Sequence, residues 1–272
     1  MKNKMIKNIG SITLIAMFAL SGISMAEETK VPSTDATVIS DTVKLIDMAG
    51  KQRMLSQRIA KDYLYAGMKI APAKANKQLK ASLAELLSTH KVLVKSINDP
   101  DIANLLAFVE MSSEDFEATA KEDFTIDNAQ LVIDLSESML EGSQYVVDSL
   151  KKTVKIKEST IVGKAGKQRM LAQRIAKYYI AYQAGIKDKN TIDQMKAAVA
   201  EFSESHAALM ANSANTPEIN RKLNEIDRLW KIVYKFYLNI EKGGLPLIVF
   251  NTTDNITKKM NGITGLYVEL YK

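Results

Sequence analysis

Apolar residues recur at every third or fourth position through almost the whole chain from about residue 37 onward, and no stretch alternates with the period of two that marks a strand. The spacing predicts a first helix over residues 37–69, closed by Pro72, which cannot continue a helix. A second helix is predicted over 75–96, with Leu79, Leu83, Leu86, Leu87, His90, Leu93 and Val94 on its stripe. Asn98-Asp99-Pro100 reads as a turn with an N-cap and opens a third helix over 100–120. A fourth begins at about Thr125, its stripe including Leu131, Leu135, Met139, Tyr145 and Val146. Four more follow at about 156–186, 190–212, 216–241 and 246–271. The pattern is all-α.

The eight helices fall into two sets of four because the chain repeats. Residues 49–61 read AGKQRMLSQRIAK and residues 165–177 read AGKQRMLAQRIAK, differing only at Ser56 and Ala172, at an offset of 116. The separations Arg53 to His90 and Arg169 to His206 are both 37 residues. Self-similarity of this kind marks a duplicated structural unit. Two tandem four-helix bundles are therefore expected, at residues 36–154 and 155–272. No proline lies between Leu131 and Gly185, so the fourth helix is expected to run into the fifth as one rod ~80 Å long at 1.5 Å per residue, with the bundles end to end.

The first 26 residues are read apart from this. A basic start (Lys2, Lys4, Lys7), a short apolar run from Ile9 to Leu20 and the small residues Ser24 and Ala26 read as a secretory signal peptide cleaved after Ala26. The run is short for the ~20 residues that span a bilayer. Periplasmic localisation is the resulting expectation, with an uncleaved membrane anchor as the alternative.

Composition then removes chemistry. Cysteine is absent and there are only two histidines, which excludes disulfides, thiolate metal sites and cysteine nucleophiles, and disfavours histidine metal sites. Net charge is +6, from 37 basic and 31 acidic residues, but the three N-terminal lysines account for half of it and the remaining charges are interspersed. Nucleic-acid binding is not expected. Neither a nucleophile elbow, nor a glycine-rich phosphate loop, nor a HExxH pair occurs. No enzyme, cofactor or metal is expected. His90 and His206, on different bundles, read as core or boundary histidines with satisfied hydrogen bonds. Met54 and Met170 read as core filler, and Trp230, Tyr234, Phe236 and Tyr237 as a packed aromatic cluster.

The repeated block is the candidate site. On a helix, Leu45, Met48, Gln52, Leu55 and Ile59 make the core-facing stripe. Beside it lies a stripe of small residues, Ala49, Ser56 and Ala60, around Arg53, with Gln57 four residues on. Small residues admit a second helix closely, and a guanidinium placed there is partly desolvated. Its planar fork suits an oxyanion bidentately. The candidate ligand-binding residues are Arg53, Arg169, Gly50, Gly166, Gln57 and Gln173. Arg58 has Asp62 at i+4 as a partner, whereas Arg174 has Tyr178 there. Other readings of the arginines stay open: solvated side chains whose stems cover apolar surface, or salt bridges to an acid elsewhere in the bundle. The glycines equally serve close helix contact.

The block AGKQRMLSQRIAK resembles the signature of the PilJ-type domain, the N-terminal sensory module of type IV pilus methyl-accepting chemotaxis transducers, which is related to the periplasmic sensor of NarX-like nitrate/nitrite kinases. The resemblance covers both repeats. It implies a four-helix bundle that pairs through its first helix, with the arginine of the Arg-Met pair from each partner clasping an anion at the interface. That role would fall on Arg53 and Arg169, with Gly50 and Gly166 near the ligand. The pairs Lys51-Gln52 and Lys167-Gln168 depart from those of the nitrate sensors. No HAMP, kinase or methyl-accepting coiled coil is expected within 272 residues.

The functional expectation is an exported sensory module that binds a small anion or small polar molecule at first-helix interfaces. Expected partners are a membrane chemoreceptor or sensor kinase and a second copy in a homodimer. The alternative is a ligand-free adaptor or scaffold, whose small-residue face docks an envelope, pilus or receptor protein.

Overall fold

The structure, a computed structural model, describes residues 34–153, 157–242 and 244–270. The expected signal peptide and its cleavage after Ala26 lie outside the described residues. These form eight α-helices: α1 Thr34–Gly67, α2 Pro72–Ser96, α3 Pro100–Ala120, α4 Ile126–Thr153, α5 Lys157–Gln183, α6 Lys189–Met210, α7 Pro217–Leu238 and α8 Pro246–Glu269. A single 3-10 turn, Ile240–Lys242, follows α7, and no strand occurs among the described residues.

Local chemistry sets the ends. Two of the described helices start with both a capping side chain and a proline: Asp99 accepts from the amides of Asp101 and Ile102 ahead of α3, and Thr216 accepts from Ile219 ahead of α7; α2 and α8 open on Pro72 and Pro246 without a side-chain cap. Lys69 and Ala71 both take left-handed backbone angles, φ 59° and 46°, which turns the chain sharply between α1 and α2. Starting at Pro72, α2 begins a turn earlier than the apolar stripe suggests, because proline at the first helical position needs no amide partner.

The end-to-end arrangement and the single connecting rod are not what forms. The most extensive helix contact in the molecule is between α1 and α5, so the two bundles lie side by side. Arg53 meets Gln144 and Gln57 meets Ser136, so α4 runs antiparallel to α1. Arg169 meets Asn261 and Gln173 meets Thr257, so α8 runs antiparallel to α5 in the same register. Asp47 meets Arg169 and Tyr65 meets Pro246, which makes α1 and α5 parallel. α4 and α5 therefore run antiparallel to each other and are separate helices. Absence of proline permits a long helix but does not require one. Side-by-side packing buries the small-residue face of both leading helices, which an end-to-end rod would leave in water.

That pairing makes α1 and α5 central. α1 is buried from Gln52 to Tyr65 except at the half-buried Arg58, between its own bundle and α5. Both stripes of the repeated block are thus interior, one facing α2 and α4 and the other facing the second half. The face on which an adaptor would have docked an outside protein is covered by α5. The aromatic cluster is core, as expected: Trp230 lies 4.1 Å from Phe202 between ring centroids, and Tyr237 is buried beside it.

In the first half the apolar core is interrupted. Ile46, Ala49, Leu93, Ile97, Val146, Val147 and Leu150 form one cluster, and the main cluster resumes at Met54, Leu55, Leu86 and Leu140. Between them lies a buried polar layer of Gln52, Arg53, His90 and Ser143. The candidate site sits in that layer.

Candidate functional site

Arg53 and Arg169 are 1% and 0% exposed, and they face each other across the α1–α5 seam. Gly50 and Gly166 flank them. A Cβ on Gly50 would lie 3.1 Å from Nη2 of Arg53 and 3.6 Å from Nη2 of Arg169. At Gly166 the distances are 3.2 Å to Arg169 and 3.7 Å to Arg53. The structure therefore brings four of the six candidate residues together around a pseudo-twofold axis. A side chain at either glycine would press on the guanidinium pair, which would have to give by a few tenths of an ångström.

Each arginine is held from the side by an amide of the fourth helix of its own half. Arg53 Nη1 donates to Gln144 Oε1 at 2.5 Å, and Arg169 Nη1 donates to Asn261 Oδ1 at 2.8 Å. Beyond this the halves differ. Arg169 Nη2 also donates to Asp47 Oδ1 at 2.6 Å, a carboxylate on α1 of the other half. Arg53 has no such partner, and its Nε and Nη2 make no hydrogen bond. Burial first, and then the Arg169 charge, lower the Arg53 pKa to about 10, against the pull of Asp148, Glu201 and Asp47. Among the described residues Asp47 is the one carboxylate bonded directly to the pair, and it bonds Arg169 only, so Arg53 keeps a buried charge with no bonded counter-ion, which is energetically costly.

Gln57 and Gln173 are not brought to the arginine pair. Their amides are used one turn further along the seam. Gln57 Nε2 donates to the Ser136 carbonyl at 2.9 Å and Gln173 Nε2 to Thr257 Oγ1 at 2.7 Å, which fastens each leading helix to its fourth helix.

One more turn along, the block ends in Lys61 and Lys177, both fully buried. Each reaches across the seam to an acid of the opposite half. Lys61 Nζ meets Asp254 Oδ1 at 2.5 Å, and Lys177 Nζ meets Glu137 Oε1 at 2.5 Å. Burial acts to raise Glu137, but Lys177 and Arg174 outweigh it and hold its pKa at about 2. Lys177 itself is lowered to about 8 by burial, against the attraction of Glu137. Asp62, beside Lys61, is raised to about 6 by burial and by Asp254, against Lys61 and Arg58. These lysines were not singled out from sequence. The available signal was their place as the last letters of the repeated block, on the face of Arg53 and Gln57 by successive steps of four.

Arg58 pairs with Asp62 at 3.7 Å, as its i+4 spacing suggests. Arg174 finds its carboxylate in the other half instead, with Nη2 2.5 Å from Glu137 Oε2. His90 Nδ1 meets Gln52 Nε2 at 3.2 Å, while neither ring nitrogen of His206 has a partner. Instead, the His206 ring stacks on Phe202. Burial lowers the pKa of both histidines. Among the described residues no group of three or more acids and histidines is placed to hold a metal ion.

Two open grooves run between the leading helices and the fourth helix of the opposite half. One, of about 520 Å³, has Lys51, Arg58, Lys74, Lys258, Asp254 and Asn261 in its walls. Its pseudo-twofold counterpart, of about 360 Å³, has Glu137, Glu141, Gln144, Lys167, Arg174 and Glu201. Asn261 and Gln144, the amides that hold the two arginines, are wall residues of the grooves.

Two helical bundles joined through their leading helices, with a buried arginine pair at the joint, define a duplicated helical module with a cationic seam. The chain belongs to the family described as type IV pili methyl-accepting chemotaxis transducer N-term, whose model matches residues 40–114 and 156–242. That is a family of sensory input domains, not a catalytic one. No curated protein and no solved structure matches the chain. No described helix is long and apolar enough to cross a membrane.

Proposed function

We propose that this chain is a periplasmic sensory input module that takes a small anion between Arg53 and Arg169. The observation that carries the reading is the uncompensated pair itself: two guanidiniums buried together, with Nε and Nη2 of Arg53 unpartnered. An oxyanion bridging them would gain charge-assisted hydrogen bonds from both and relieve their mutual repulsion. Each half supplies one arginine and one glycine, so the clasp is complete within one chain and needs no second copy. The two halves, residues 36–154 and 155–272, act as the two partners of a fused dimer. Ligand binding shifts the packing of α1 on α5, and a separate membrane receptor or kinase reads that shift. The N-terminal segment serves as the export signal, cleaved after Ala26.

The test is calorimetric titration of the mature chain with nitrate, nitrite, formate and acetate at low ionic strength, alongside Arg53→Gln. Saturable binding by the wild type, lost in Arg53→Gln, is the expected result. No heat from any anion, with an unchanged melting temperature, would refute the reading.

A further inference from the structure

The duplication offers an internal comparison at the arginine pair. At the offset of 116 that relates the two halves, Asp47 on α1 corresponds to Gly163 on α5. Asp47 donates nothing and accepts twice from Arg169: Oδ1 at 2.6 Å and its own carbonyl at 3.4 Å from Nη2. The carboxylate is partly open to solvent, whereas the guanidinium it holds is not. On the other side, Gly163 offers no side chain to Arg53, and Lys151 fills the space beside it. A Cβ there would meet Lys151 Cε at 2.6 Å and Nζ at 2.9 Å, the movable end of a long side chain. Arg53 is accordingly left with two unpartnered nitrogens, and Arg169 with one.

We infer that Asp47 is an internal counter-ion that occupies the Arg169 half of the clasp, leaves Arg53 as the open half, and restricts the site to ligands carrying a single negative charge. This rests on the reading of the arginine pair as an anion site. Around the seam Lys151 pairs with Asp148 and Lys167 with Glu201, so the two guanidiniums and Asp47 leave one positive charge to be matched. A monoanion matches it, docking on Arg53 first and sharing or displacing Asp47 at Arg169. A dianion would bring a second charge against the Asp47 carboxylate, in a seam where charges are poorly screened. The same logic makes Asp47 a brake on affinity, because ligand and carboxylate compete for the same Nη2.

Two substitutions separate the possibilities. Asp47→Asn keeps the shape and an acceptor oxygen but removes the charge. Gly163→Asp supplies the second half with the carboxylate it lacks. Nitrate and formate, as monoanions, and sulfate, as a dianion, are titrated into the mature wild-type chain and each variant, with melting temperatures recorded without and with each anion. For Asp47→Asn the expected result is monoanion affinity raised on the order of tenfold, the value of one charge-assisted hydrogen bond. Its gain for sulfate should be larger still, and its ligand-free melting temperature should fall and recover when anion is added. Gly163→Asp should lose anion binding and melt no lower than wild type. Wild-type binding that Asp47→Asn leaves equal or weakens would overturn the role of Asp47 while keeping the anion site. Absence of binding by both the wild type and Asp47→Asn would remove the anion site, and this inference with it.

Discussion

Glu137→Gln is the most informative single change for the architecture. Glu137 belongs to α4 of the first half, and its carboxylate takes Lys177 at 2.5 Å and Arg174 at 2.5 Å, both from α5 of the second. Its pKa of about 2 stands some 2.5 units below the usual 4.5, which at 1.36 kcal/mol per unit corresponds to about 3 kcal/mol of favourable interaction at neutral pH. Lys177 runs the other way: lowered from 10.5 to about 8, its buried charge costs a similar amount. The two figures largely cancel, as a buried pair commonly does. The cancellation fails when one partner goes. Glu137→Gln leaves the Lys177 ammonium buried among neutral partners, with the Ser136 hydroxyl 2.8 Å away and the Tyr178 ring 4.3 Å away. The expected loss is about 3 kcal/mol in urea unfolding at pH 7, or ~6–12 °C in melting temperature for a chain of this size. Lys177→Met in the Glu137→Gln background should recover most of it, because the stranded charge is removed too. The pH dependence has a fixed sign. A carboxylate with a depressed folded pKa adds stability above about 4.5, and that stability is lost as pH falls towards 2. A Glu137→Gln protein within 0.5 kcal/mol of wild type, or a double variant whose losses simply add, would refute the reasoning.

Asp62→Asn should stabilise the protein at pH 7 by up to about 3 kcal/mol, because the folded pKa of about 6 lies above the usual 3.8 and the ionised form is disfavoured by burial. The gain should vanish below about pH 4, where the wild-type carboxyl is protonated in both states, and denaturant titrations across pH 4–7 measure it. Gly50→Ala and Gly166→Ala each place a methyl 3.1–3.2 Å from a guanidinium nitrogen. Anion affinity should fall about tenfold as the arginine is pushed aside. Melting should change little, since alanine's helix preference of about 1 kcal/mol offsets the crowding. Titration and thermal melts of the two variants check both halves of that statement.

The helices were legible in the sequence because proline, capping residues and apolar spacing act locally. Asp99 and Thr216 cap where their position before proline suggests. The repeated block stood out as the candidate site because twelve of its thirteen residues recur in both halves. What the block touches was not. Its partners on the fourth helices differ between halves, Gln144 against Asn261 and Glu137 against Asp254, at an offset of 117 instead of 116, so no repetition announces them. The placement of α5 alongside α1 was also hidden. Proline-free sequence suits a rod and a hairpin equally, and only the burial of both small-residue faces decides between them. Asp47 was missed because it precedes the block and has no counterpart in the second half.

The two grooves give the protein a front and a back. Four cations and two acids line one mouth, while two cations and three acids line the other. A dimer of identical chains would present the same field on either side. Under the proposed reading a diffusing anion would be drawn to the mouth beside Lys258 in preference to the one beside Glu141. Fusion of the two halves into one polypeptide thereby lets the two mouths differ in charge, and leaves the second to be shaped by other demands.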